Sequence, residues 1–174
     1  MGTIRVNGST SGYVELAAPA VAGSVVLTLP ATTGTVAVQG EAYGRSSTAT
    51  VATNESTTST SYTDLATAGP AVTITTGTKA LVIVNAGLYN TTSGTQASMS
   101  YAVSGATTVA ASDAWRLMSG AWTGVNVVPW IRAGAAYLAT GLTAGSNTFT
   151  AKYAVSANTG QFRERTIVVI DMGS

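Results

Sequence analysis

Three carboxylates, Asp113, Glu164 and Asp171, are the side chains here best suited to acid–base work. A glycosidase-type reaction needs two such groups facing each other across the bond to be cut. Glu164, however, stands between Arg163 and Arg165, a setting for a solvated edge or a salt-bridge ladder. With only seven acidic residues in the chain, chance pairing is also limited. Asp64, Asp113 and Asp171 lack the spacing of a calcium loop. Histidine is absent, which removes the commonest general base and metal ligand. Cysteine is absent too, excluding disulfides, thiolate chemistry and cysteine-ligated zinc. Ser and Thr fill about a quarter of the chain, yet no base stands beside them to activate a nucleophile. The glycines of Gly8–Gly12 (GSTSG) lack the lysine and following helix of a phosphate loop, so this segment reads as a turn. The expectation is a protein that is not an enzyme, with no catalytic residue, no metal ligand and no cofactor.

Aromatic rings offer a second kind of chemistry. Trp115, Trp122 and Trp130 lie in one stretch, with Arg116, Arg132 and Tyr137 nearby. Two readings stand: a glycan platform, because sugar C–H faces stack on rings, or packing in a core or subunit interface, where aromatics are enriched.

Composition narrows the partners. Net charge is +1, and Arg163 and Arg165 make the densest basic spot. Nucleic acid, which demands a concentrated basic face, is not expected. No apolar run approaches the roughly 18 residues of a membrane span, so no membrane insertion is expected. The N-terminus shows no apolar core of a secretion signal. Charged residues are only 9% of the chain, far below the usual quarter. Abundant Val, Thr and Ser suit pleated strands better than helices.

The elements that must position these residues fall in three zones. Residues 1–40 hold candidate strands Thr3–Asn7, Tyr13–Ala17, Ser24–Leu29 and Thr35–Val38, broken by Gly and Pro. Such short runs cannot build a core alone. Val14, Leu16, Val26, Leu27, Leu29, Val36 and Val38 are the candidate assembly or anchor contacts. Residues 41–60 are polar and read as a connector. Residues 61–174 read as one all-β knob of about eight strands at roughly ten-residue spacing, the mark of a sandwich or jelly roll. Those strands are Val72–Thr75, Lys79–Gly87, Gln96–Val103, Ala114–Met118, Val125–Ile131, Ala135–Thr140, Asn147–Val155 and Arg163–Asp171. Lys79–Gly87 is continuously apolar and is expected to be buried on both faces, with Lys79 as a strand-edge gatekeeper. Pro129 marks its strand as an edge or a bulge. In Asn147–Val155, alternation points Phe149, Ala151, Tyr153 and Val155 inward.

Gly8–Gly12, Val14, Leu16, Ala18–Ala20, Ala22–Ser24, Leu27–Pro30 and Gly34–Thr35 together spell GSTSG-x-V-x-L-x-APA-x-AGS-x-x-L-T-LP-x-x-x-GT. This segment resembles one that recurs in fibre and appendage proteins of tailed bacteriophages. The knob more loosely resembles the jelly-roll knobs of phage fibres and of C1q/TNF-like trimers. The resemblance implies a homotrimer whose intertwined N-terminal β segments form an anchor or shaft. It implies a virion structural protein that contacts other virion proteins and, as a tail fibre or receptor-binding tip, a host-cell glycan. The alternatives are a capsid head fibre or decoration protein and, from a different class, a glycan-degrading depolymerase.

Overall fold

The computed structural model describes residues 3–7, 13–17, 45–121, 123–124 and 129–173, the first two stretches as backbone strands only. The chain divides into two compact units, Met1–Val36 and Ala37–Ser174.

In the first unit, β1 (Thr3–Asn7) and β2 (Tyr13–Ala17) pair antiparallel. The register sets Val14 opposite Val6 and Leu16 opposite Ile4. The expected strands Ser24–Leu29 and Thr35–Val38, and with them Val26, Leu27, Leu29, Val36 and Val38, lie outside the described residues.

The second unit is an antiparallel β-sandwich. Its strands are β3 (Ser46–Val51), β4 (Glu55–Thr57), β5 (Ala71–Thr76), β6 (Lys79–Asn90), β7 (Ala97–Gly105), β8 (Leu117–Met118), β9 (Ile131–Thr140), β10 (Gly145–Val155) and β11 (Gly160–Asp171). One sheet runs β5-β10-β7-β8 and the other β3-β11-β6-β9, with β4 added against β11. Leaving β4 aside, the pairs are nested: β7 with β8, β6 with β9, β5 with β10, β3 with β11. A long hairpin rolled up on itself gives this order, which is that of a jelly roll.

Alternation decides which face is buried. Val82, Val84 and Leu88 of β6, Phe149 and Tyr153 of β10, and Phe162, Ile167 and Val169 of β11 are fully enclosed between the sheets. Phe149, Ala151, Tyr153 and Val155 all point inward, as the pattern of β10 predicts. Leu142, in the corner before it, is buried as well.

Four expectations need correction. Residues 41–60 are not merely a connector, because β3 and β4 lie within them and pair with β11. Thr and Ser made this stretch look like a linker, but hydroxyls also suit an exposed edge strand. Lys79–Gly87 is not buried on both faces: Ala80, Val82, Val84 and Ala86 are enclosed, while Leu81, Ile83 and Asn85 are half-covered on the outer surface. Lys79 guards no edge, since β6 lies inside its sheet with β11 and β9 on either side. Ala114–Met118 is mostly a 3-10 turn, Asp113–Trp115, followed by the two-residue β8.

Pro129 precedes β9 rather than interrupting it, as its missing N–H requires. The eight-strand expectation counted Val125–Ile131 and Ala135–Thr140 separately. Ile131 and Ala135–Thr140 instead belong to one strand, β9, Val125–Val128 lie outside the described residues, and with β3 and β4 the two sheets hold nine described strands.

The β11 ladder is irregular at one point. Its pairing with β6 slips between Arg163 and Thr166, and Glu164 takes a positive φ of 48°. This is a β-bulge, with one extra residue on β11. It reverses the alternation, so Phe162 points inward before it and Arg165 points inward after it.

Candidate functional site

The structure separates the sequence-predicted aromatics into two places. Trp115 donates its indole N–H to the Tyr101 carbonyl at 3.0 Å, and its ring lies 5.7 Å from the Tyr101 ring. Tyr137 donates its hydroxyl to the Arg116 carbonyl at 2.6 Å. Both line an apolar cleft of about 270 Å³ with Tyr101, Val109, Leu138 and Leu142. Trp130 stands apart, stacked on Tyr89 at 5.3 Å, with the Arg163 guanidinium 4.1 Å from its ring centre. Trp122 lies outside the described residues. Trp115 and Tyr137 thus have their polar atoms satisfied by the fold itself.

The three candidate carboxylates are not brought together as a working pair. Glu164 pairs with Arg132 from β9. Asp171 accepts from the backbone N–H groups of Gly77 (2.8 Å) and Gly173 (3.1 Å), tying the end of β11 to the turn before β6. Among the described residues, no three acidic side chains gather where they could hold a metal ion.

Asp113 has a different setting, which sequence reasoning missed. It opens the 3-10 turn that Ser112 caps by accepting from the Ala114 N–H. Its Oδ1 accepts from the Tyr62 hydroxyl at 2.7 Å, and its Oδ2 meets the Arg116 guanidinium at 3.1 Å. Burial, and then the hydrogen bond to Asp113, push the Tyr62 hydroxyl well above the ordinary tyrosine pKa, so it stays a proton donor. Around this trio is a polar cavity of about 250 Å³ that also includes Thr60, Gln96, Ser98 and Ser156.

Three separate segments build this cavity. Ser98 lies on β7 with Ala154 of β10 and Met118 of β8 as its cross-strand neighbours. It alternates with the core residues Ala97 and Met99, so it faces away from the core. Ser98 is nevertheless only 5% exposed, because the cavity walls cover it. Thr63 continues the sheet by pairing with Tyr153, which fixes Tyr62 beside β10. Ser100 receives the Ser112 N–H and donates to the Ser112 carbonyl, which docks the Asp113 turn on β7. The sequence places Ser98 in the candidate strand Gln96–Val103, and nothing in it joins that strand to Tyr62 or Asp113.

No protein-family profile matches the sequence, and no curated protein does. Among solved structures, the chain is similar to proteins of infectious bursal disease virus. For the Gx strain structure the likeness covers 94% of this chain and 39% of that one, at 15% identity and a TM-score of 0.49. For the Gt strain it covers 95% and 41%, at 16% identity and a TM-score of 0.48. The crystal structure of the VP2 subviral particle of the same virus gives 95% and 40%, at 15% identity and a TM-score of 0.46. This chain thus spans about two-fifths of the length of those chains.

Proposed function

We propose that this chain is a structural component of a tailed-phage virion: a short homotrimeric fibre or appendage, attached by its N-terminal segment and presenting the jelly-roll knob. One observation carries the reading. The segment that resembles phage appendage proteins, Gly8–Thr35, coincides with a compact unit of its own, Met1–Val36. A short β segment that cannot bury its own apolar residues needs neighbours, and three copies closing on one another supply them. The partners are then two further copies of the chain and the virion proteins that receive the segment. The knob serves as a tail fibre or receptor-binding part that meets a host-cell glycan. The chain performs no catalysis in this reading, and incubation with host polysaccharide leaves the polymer intact.

A capsid head fibre or decoration protein is the second reading. Electron microscopy of virions labelled with an antibody to the knob tests both. Label at the tail tip or baseplate supports the receptor-binding role, label over the head shell supports decoration, and purified virions without label refute the proposal.

A further inference from the structure

We infer that the cavity between Tyr62, Ser98 and Asp113 is a binding site for one neutral hexopyranose ring. The inference rests on the reading of the knob as a host-facing unit and locates its glycan contact away from the tryptophans.

Three observations converge on it. The first is the chemistry of the walls. Asp113 and Arg116 neutralise one another at 3.1 Å. The cavity therefore holds directional donors and acceptors without net charge, which disfavours phosphate or carboxylate ligands. The second is preorganisation. Tyr62 and Arg116 each hold one oxygen of Asp113, and each oxygen keeps a further lone pair for a ligand hydroxyl. The third is a hydroxyl on the cavity floor. Ser98 is 5% exposed and lines the cavity, and its hydroxyl can both donate to and accept from a ligand hydroxyl.

Size sets the ligand. At about 250 Å³ the cavity falls just below the usual range for drug-sized pockets, so it takes a single ring. The ring would lie beside Tyr62, with its hydroxyls reaching Asp113, Arg116 and Ser98.

Saturation-transfer NMR on the full chain, with glucose, galactose, mannose and N-acetylglucosamine as probes, tests the site. At least one sugar should show transfer and a titratable Kd. Asp113→Asn should weaken that binding by about tenfold or more, the loss of one charge-assisted hydrogen bond. Ser98→Val fills the floor, and should abolish binding while the thermal transition stays in place. Trp130→Ala should leave the affinity unchanged. Absence of transfer from all four sugars overturns the inference. So does binding that survives both cavity substitutions, or binding that Trp130→Ala removes. Failure of the virion reading looks different: hexose binding persists in the purified chain while the antibody finds no virion.

Discussion

Arg165 shows how one side chain can depart from the setting its neighbours suggest. It sits in the run RER and reads as part of an exposed ladder, yet it is fully buried. Its Nη2 meets Glu55 Oε2 at 3.0 Å, and its guanidinium lies 5.3 Å from the Tyr153 ring centre. Nε and Nη1 have no hydrogen-bond partner among the described residues. Glu55 in turn accepts from the N–H and hydroxyl of Thr67, at 3.1 and 2.5 Å. Glu55→Ala leaves a buried cation uncompensated and should cost roughly 3–5 kcal/mol, whereas the double change Glu55→Met with Arg165→Met should cost less. Guanidinium unfolding of the two variants decides this. Glu55 also predicts the acid limb of stability. Burial raises its pKa, but the Thr67 donors and the Arg165 charge outweigh that and hold it below the usual carboxylate range. Its contribution is therefore complete above about pH 4.5 and lost as pH falls through the lowered value. At the alkaline end, burial and then the nearby Tyr137 push Tyr101 up to about 12. A raised tyrosine stabilises fully below about pH 10 and loses that contribution as pH climbs towards 12. Thermal melts across both ranges, read beside tyrosinate absorbance, should show both declines.

At the scale of elements, β3 cannot be understood without β11. β3 has Thr and Ser on its outward side and only Ala49 packed against the core, so its local sequence looks like a linker. Its membership of the sheet depends on β11, far along the chain, which no local pattern reveals. A fragment beginning at Ser61 should therefore aggregate or stay unfolded, while one spanning Ala37–Ser174 folds; circular dichroism and gel filtration of the two make the comparison. Deleting Glu164 should be as severe, because removing the bulge turns either Arg165 or Phe162 to the wrong side. Where alternation is strong the reading succeeds. β10 alternates cleanly, and Phe149→Ala at its buried centre should cost roughly 3–5 kcal/mol in denaturant titration. The polar cavity was illegible for a related reason: Tyr62, Ser98 and Asp113 come from three segments, and only tertiary pairing brings them together.

For the whole molecule, the all-β jelly roll was largely legible, since strand spacing and turn residues repeat through the chain. The proposed trimer rests on the resemblance, and it is tested in solution. Sedimentation equilibrium should give three copies, and Leu27→Asp or Leu29→Asp should abolish the assembly. A substituted chain that still runs as the unsubstituted oligomer removes the shaft proposal. The nested pairing also governs how long the protein takes to form. β3 and β11 lie so far apart that the bond from Thr48 to the Ile167 carbonyl spans 119 residues. Closing such loops precedes any reward from the contacts they permit, so folding should be slow. During synthesis, β3 and β6 have no β11 to fill the space between them until nearly the whole sandwich has been translated. Nascent chains would thus wait with open sheet edges on the ribosome, and at high expression they would need chaperone cover to escape aggregation.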